Sequence, residues 1–282
     1  MTGAEAVGSA RMHDVICAII LGIVEGATEF LPVSSTGHLI LVGNALGFVG
    51  ARADAFEIII QLGAILAVVW LYRQLLWRVA REGMSVPESR RLILALGVAF
   101  LPAAIVGLLT HHWITAHLFT PGVVIAAFIA GGIVILAIEH WRPAPHIDSV
   151  MRIGLVTAWW IGVAQVFSLI PGTSRSGATI MGALLVGVAR PAAAEFSFLL
   201  AIPVMFAASG LDIWENRHLL SGSDAALFAI GFGVAFVTAL FIVRWLVRFV
   251  SQHTFQPFAW YRIAFGLSVL GLVLSGRSWL AK

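Results

Sequence analysis

Residues 22–38, GIVEGATEFLPVSSTGH, decide the fold because they put carboxylates, hydroxyls and an imidazole into an otherwise apolar run. Glu25 and Glu29 are four positions apart, so a helix would place both side chains on one face. A charged side chain at the centre of a bilayer costs at least about 2.5 to 3.5 kcal/mol. Two such groups in one helical turn therefore need either compensating partners or a function.

The composition indicates a polytopic membrane protein. Of the 282 residues, 60% are hydrophobic and only 11% are charged, whereas soluble domains carry roughly 25% charged residues. A transmembrane helix needs about 20 predominantly apolar residues. We therefore predict an all-α fold, a single membrane domain over 1–282, with six transmembrane helices near 55–72, 92–110, 121–139, 194–213, 225–246 and 259–276.

Two further apolar segments, 14–47 and 153–188, are interrupted by polar residues. The first contains the stretch quoted above, and the second contains residues 162–179, GVAQVFSLIPGTSRSGAT. Non-helical backbone at membrane depth is tolerated only where it is buried in protein or lines a wet cavity. Each segment is therefore predicted to be a re-entrant helix–turn–helix.

The distribution of arginine predicts the orientation. Residues 73–91 contain five arginines, whereas 111–120 contain neither Lys nor Arg, so the first loop should face the cytoplasm. Both termini would then lie outside, and the two re-entrant segments would enter from opposite sides.

The two halves of the chain, about 14–140 and 153–276, align when the sequence is shifted by 140 positions. This alignment predicts an inverted-topology repeat. The aligned pairs are Gly22 with Gly162, Glu25 with Gln165, Ser34 with Ser174, Gly37 with Gly177 and Phe56 with Phe196.

The first polar segment has the groups needed for acid–base chemistry. Glu25 and Glu29 are followed by hydroxyls and by His38, whose imidazole titrates near neutral pH; the hydroxyl residues are Ser34, Ser35 and Thr36. A structural alternative is that both glutamates only pair with arginines. The adjacent hydroxyls and histidine favour a functional site.

The second polar segment has the composition of a phosphate cradle. Turn amides, hydroxyls and the guanidinium of Arg175 all suit phosphate oxygens, and the candidate contacts are Gly172, Thr173, Ser174, Arg175, Ser176 and Thr179, with Ser34 and Thr36 from the first segment. The alternative is that the small residues merely allow close helix packing. An arginine among them favours anion binding, and we expect His38 and Arg175 to lie close together.

The remaining charged and thiol groups are less informative. The net charge is +3, but no basic stripe or recognition motif accompanies it, so nucleic-acid binding is not expected. Cys17 is the only cysteine, which excludes a disulfide within the chain. Arg262, in the run Trp260-Tyr261-Arg262, has the pattern of an interfacial anchor.

At the two polar segments the chain closely resembles the undecaprenyl-diphosphate phosphatase family, the bacitracin-resistance type of membrane phosphatase. The resemblance rests on the acidic pair Glu25 and Glu29, the run Pro32 to His38, and the run Pro171 to Thr179. It implies removal of the terminal phosphate of undecaprenyl diphosphate, which recycles the lipid carrier of cell-wall polymer synthesis. It also implies a bacterial plasma membrane location, an outward-facing site, a divalent cation (Mg²⁺ or Ca²⁺), and indirect competition by bacitracin, which binds the substrate. A homo-oligomer is possible.

Several assignments of catalytic roles fit these residues. Ser35 is the leading candidate nucleophile, with His38 accepting its proton or protonating the leaving oxygen. Glu25 and Glu29 would hold the metal, or Glu29 would activate water directly. Arg175 would hold and polarise the phosphoryl oxygens. The competing function is a secondary transporter or flippase for an anionic lipid or small anion, since inverted repeats with broken helices are typical of transporters.

Overall fold

The computed structural model describes residues 3–216 and 224–275, and within these ranges the fold is built from α-helices. Short 3₁₀ turns cover Val150–Arg152 and Phe167–Leu169. The helices are α1 Gly3–Thr28, α2 Ser35–Leu46, α3 Ala51–Leu71, α4 Arg73–Glu82, α5 Pro87–His117, α6 Pro121–Trp141, α7 Leu155–Val166, α8 Arg175–Leu185, α9 Arg190–Asn216, α10 Ala225–Val250 and α11 Gln256–Leu274.

Six of the described helices are long and apolar enough to cross a membrane, which confirms the predicted all-α membrane fold. They are α3, α5, α6, α9, α10 and α11, and each contains or closely overlaps one of the predicted spans. Helix α5 runs well beyond its predicted span at both ends. It begins at Pro87, since proline suits the first helical position, and it continues to His117. The last position of the final predicted span, 276, lies outside the described residues.

The two interrupted segments each form a helix, a turn and a second helix. Helices α2, α7 and α8 contain 12, 12 and 11 residues, so at 1.5 Å per residue each is at most about 18 Å long. The hydrocarbon core is about 30 Å thick. None of these three helices can cross it alone.

The turns before α2 and α8 share an uncommon backbone conformation. Ser34 has φ 70° and ψ 103°, and Ser174 has φ 73° and ψ 118°. They are the non-glycine residues with positive φ in the described chain, and they are 140 positions apart. Two glycines with positive φ that follow α2 and α8, Gly47 and Gly187, are separated by the same 140 positions. The same local structure therefore occurs twice at a constant offset.

The helix that leads into each turn packs on a long helix from the other half of the chain. Helix α1 lies against α10, and a β-carbon on Gly22 would come within 2.7 Å of the Gly231 carbonyl oxygen. Helix α7 lies against α5, where a β-carbon on Gly162 would come within 2.5 Å of the Ala99 oxygen. Small residues allow this close approach, and the two halves are thereby interlocked.

Candidate active site

The two polar turns meet in the interior. Arg175, the first residue of α8, places Nη2 3.3 Å from Glu29 Oε1, across 146 positions of sequence. Its Nη1 donates to the Ser197 carbonyl oxygen at 3.1 Å. Both charged side chains are largely buried, with 11% and 8% of their surface exposed. An ion pair in such a place brings together the acidic and the basic motif.

A polar cavity of about 180 Å³ lies beside this ion pair. Seven residues singled out in the sequence line it: Glu29, Ser34, Ser35, Thr36, Gly172, Ser174 and Arg175. Gln61 and Ser168 also line it and were not predicted. A polar Gln61 inside an apolar span was a usable signal, because unpaired polar groups are costly in a membrane. Nothing in the sequence distinguishes Ser168 from a helix-packing serine.

The hydroxyl of Ser35 is paired with a carboxylate. Ser35 Oγ donates to Glu29 Oε2 at 2.5 Å, so both oxygens of Glu29 are engaged, one by Ser35 and one by Arg175. The sequence suggested His38 as the proton acceptor of Ser35. The geometry pairs Ser35 with Glu29, which is within reach to accept that proton.

His38 is fixed by hydrogen bonds to the first turn and to α11. Its Nδ1 lies 2.7 Å from the Ser34 carbonyl oxygen, which can only accept, so Nδ1 carries a hydrogen. In the neutral ring Nε2 then accepts from the Tyr261 hydroxyl at 2.6 Å. The ring stacks on Phe265 at 4.4 Å between centroids. Among the described residues no hydrogen bond joins His38 to Arg175, and the two motifs contact each other through Arg175 and Glu29.

Three candidate phosphate contacts lie away from the polar cavity. Ser176 is fully buried and donates to the Leu31 carbonyl oxygen at 2.8 Å. Thr179, also fully buried, is 2.6 Å from Ser197 Oγ. Thr173 lines a separate, mostly apolar cavity of about 540 Å³. Ser176 and Thr179 lie on α8, which begins at Arg175, and its winding turns their side chains towards Leu31 and Ser197. Thr173 precedes the helix in the turn.

Several buried polar atoms near the turns have no hydrogen-bond partner within the described chain. They are Glu25 Oε1, Arg175 Nε and both amide atoms of Gln165. Buried polar groups are nearly always paired, so unpaired ones need an explanation such as a bound ligand or ion. Arg175 Nε is a free donor next to the cavity, and Glu25 Oε1 is a free acceptor one helical turn before Glu29.

The interpretation of Arg262 as an interfacial anchor is wrong. Trp260 and Tyr261 are 61% and 44% exposed, as an anchor would be, but Arg262 is 0% exposed. Its guanidinium donates to the carbonyl oxygens of Pro32 and Thr173, one in each turn. Two positions along a helix rotate a side chain by about 200°, so Trp260 and Arg262 lie on opposite faces of α11.

Known proteins resemble the chain over most of its length. The family model described as bacitracin resistance protein BacA matches residues 18–268. A protein of Dechloromonas aromatica (strain RCB) named undecaprenyl-diphosphatase is 54% identical over 90% of this chain and 92% of its own length. A protein of Rhodospirillum rubrum named undecaprenyl-diphosphatase 2 is 53% identical over 95% of this chain and 98% of its own length. A protein of Nitrosospira multiformis named undecaprenyl-diphosphatase is 54% identical over 92% of this chain and 94% of its own length. The chain therefore belongs to the bacitracin resistance protein BacA family.

Proposed function

We propose that this protein hydrolyses undecaprenyl diphosphate to undecaprenyl phosphate and inorganic phosphate, as the names of its relatives indicate for them. It is an enzyme of the bacterial membrane that recycles the lipid carrier of cell-wall synthesis. The observation that carries the proposal is the contact of Arg175 with Glu29 beside the Ser35 hydroxyl. This arrangement combines an anion-binding donor with a nucleophile and its base, which is more than binding alone would need.

The terminal phosphate of the substrate would enter the polar cavity beside Arg175. Arg175 lines this cavity, its buried Nε has no hydrogen-bond partner among the described residues, and a guanidinium fork suits two phosphoryl oxygens at once. Ser174 caps α8, since its Oγ accepts from the Gly177 amide at 3.1 Å. An N-terminal helix end next to the cavity adds a favourable dipole for an anion. Charge neutralisation of this kind is the main requirement in phosphoryl transfer.

The hydrogen bond between Ser35 and Glu29 supports a covalent route. Ser35 Oγ would attack the terminal phosphorus while Glu29 takes its proton, and the bond from that phosphorus to the bridging oxygen breaks. Undecaprenyl phosphate leaves. Water then attacks the phosphoserine and releases inorganic phosphate. The alternative route has Glu29 activating water directly, with Ser35 only orienting it.

A divalent cation, Mg²⁺ or Ca²⁺, is part of the proposal, and the residues present fit one. The described chain has no group of three or more His, Cys, Asp or Glu side chains that could hold a metal. Mg²⁺, however, is commonly bound by one or two carboxylates together with substrate phosphates. Glu25, with an unpaired buried oxygen, would hold the ion together with Glu29 where Glu29 does not act as the base. In the route through Ser35 both Glu29 oxygens are engaged by Ser35 and Arg175. The ion would supply neutralisation of the diphosphate charge.

We also propose that the site opens towards the outer face of the membrane, with both termini outside and the halves 14–140 and 153–276 in opposite orientations. The distribution of arginine supports this orientation, and the paired turns at Ser34 and Ser174 support the repeat. In this arrangement bacitracin would compete indirectly, by binding the lipid diphosphate before it reaches the cavity.

The test is phosphate release from undecaprenyl diphosphate by the purified protein in detergent, with and without added Mg²⁺ or Ca²⁺. We expect release by the wild type and its loss in Arg175→Ala. If the wild type bound the lipid without releasing phosphate, the proposed phosphatase function would be refuted and the transporter function would replace it. No observation favours a transporter.

A further inference from the structure

Arg262 lies between the two polar turns and binds only backbone oxygens. Its Nη1 donates to Pro32 at 3.2 Å and to Thr173 at 2.9 Å. Its Nη2 donates to Gly172 at 2.9 Å and to Ala127 at 2.8 Å. Its Nε donates to Phe128 at 3.3 Å. One guanidinium therefore joins the first turn, the second turn and α6.

Arg262 is fully buried and has no acidic partner among the described residues. No carboxylate among the described residues forms an ion pair with it. Its guanidinium lies over the Phe128 ring, 5.3 Å from the ring centroid. It also packs directly against Gly131, where an added β-carbon would come within 2.3 Å of Nη2. Burying a cation is expensive unless it is well paired, so five carbonyl dipoles take the place of a counter-ion.

The contacts determine which way the second turn faces. In a trans peptide the carbonyl and the following N–H point in opposite directions, and the described chain contains no cis peptide. The Thr173 carbonyl points to Arg262, so the Ser174 N–H points away from it. Gly172 and Ser174 both line the polar cavity. Arg262 thus binds the turn through its carbonyl oxygens and leaves the Ser174 N–H directed away from the guanidinium.

We propose that Arg262 is a positioning residue of the phosphatase site, an inference that rests on the proposed function. It holds the carbonyls of both turns so that the 173–174 peptide presents its amide, and α8 presents Arg175, to the terminal phosphate. It touches no substrate atom. Its removal lowers turnover by letting the two turns separate and rotate.

The experiment compares Arg262→Lys and Arg262→Met with Arg190→Lys, a control at a partly buried arginine that pairs with Glu139 away from the turns. Turnover on undecaprenyl diphosphate and inhibition by orthovanadate, which probes the cradle without the lipid, are measured on monodisperse protein. Lysine keeps the charge but cannot span the carbonyls. We expect at least a 30-fold loss of kcat/KM and a tenfold weaker vanadate inhibition in both Arg262 variants, with little change in Arg190→Lys.

A separate variant keeps Arg262 and displaces its guanidinium. Gly131→Ala should do so, with Gly122→Ala, which meets no atom within 4 Å, as its control. We expect Gly131→Ala to reproduce the loss. Wild-type vanadate inhibition in folded Arg262 variants, or full activity in Gly131→Ala, would overturn the inference while leaving the phosphatase intact. Absence of phosphate release by the wild type would instead refute the proposed function.

Discussion

Ser35 donates its hydroxyl hydrogen to Glu29 at 2.5 Å, and the same carboxylate is bound on its other oxygen by Arg175. Glu29 thus links the candidate nucleophile Ser35 to Arg175, the arginine proposed to bind the phosphate. In the proposed mechanism, the terminal phosphate would compete with Glu29 for the Arg175 guanidinium.

Ser35→Ala tests the covalent route. We expect turnover to fall by about 10² to 10⁴, the range typical of losing a positioned proton-transfer pair. Acid quenching of the wild type with substrate labelled on the terminal phosphate should trap a phosphoserine at position 35. Near-normal turnover by the alanine variant, together with no trapped label, would establish activated water as the nucleophile.

Arg175→Lys tests the phosphate cradle. Lysine retains the charge but loses the planar fork, so we expect kcat/KM to fall about 100-fold, the scale of removing one preorganised donor to a reacting group. The control is Arg152→Lys, because Arg152 forms an exposed ion pair with Asp148 at 3.0 Å. Phosphate release by the two proteins should differ by that factor, and equal activities would exclude Arg175 from the cradle.

Tyr261→Phe tests the support of His38. Removing the hydroxyl leaves Nε2 of the buried ring without its donor, a loss worth about 1 kcal/mol. We expect turnover to fall roughly five- to tenfold, with a larger loss in His38→Ala. The other tyrosine of the chain, Tyr72, provides the control Tyr72→Phe. Indistinguishable rates for the two Phe variants would show that His38 does not need Tyr261.

Cysteine labelling in intact cells tests the orientation. In a Cys17→Ala background, Ser85→Cys should resist a membrane-impermeant thiol reagent, since it lies in the arginine-rich loop predicted to face the cytoplasm. Ala116→Cys, on the opposite side, should react; both positions are exposed in the fold. Permeabilised cells are the control for reactivity. If only Ser85→Cys were labelled in intact cells, the orientation of the chain would be the reverse of the predicted one.

Gly26→Ala tests the packing of α1 on α10. A β-carbon there would lie 2.5 Å from the Ala235 carbonyl oxygen, so we expect a loss of about 1 to 3 kcal/mol from overpacking. Gly97→Ala in α5 meets no atom within 4 Å and should be neutral or stabilising by up to about 1 kcal/mol. Thermal unfolding in detergent gives both values, and equal melting temperatures would contradict the close contact.

The spans were predictable because hydropathy is a property of local sequence, and the contact between the two motifs was predictable because isolated charges at membrane depth need one another. The role of Arg262 was not predictable from the sequence, since a three-residue pattern does not reveal which face of α11 meets the turns. The same limit applies to Ser176 and Thr179. Their hydroxyls suit phosphate equally well in the sequence, and only the winding of α8 turns them towards Leu31 and Ser197.

The packing of α1 on α10 and of α7 on α5 also bears on biosynthesis. The first broken segment is synthesised long before α8 and α10, so Glu29 is made before Arg175, its ion-pair partner in the folded protein. A gene fragment that encodes either half alone should therefore yield an inactive, short-lived product. Co-expression of both fragments in one cell should restore phosphatase activity, because each supplies the helix against which the other completes its turn.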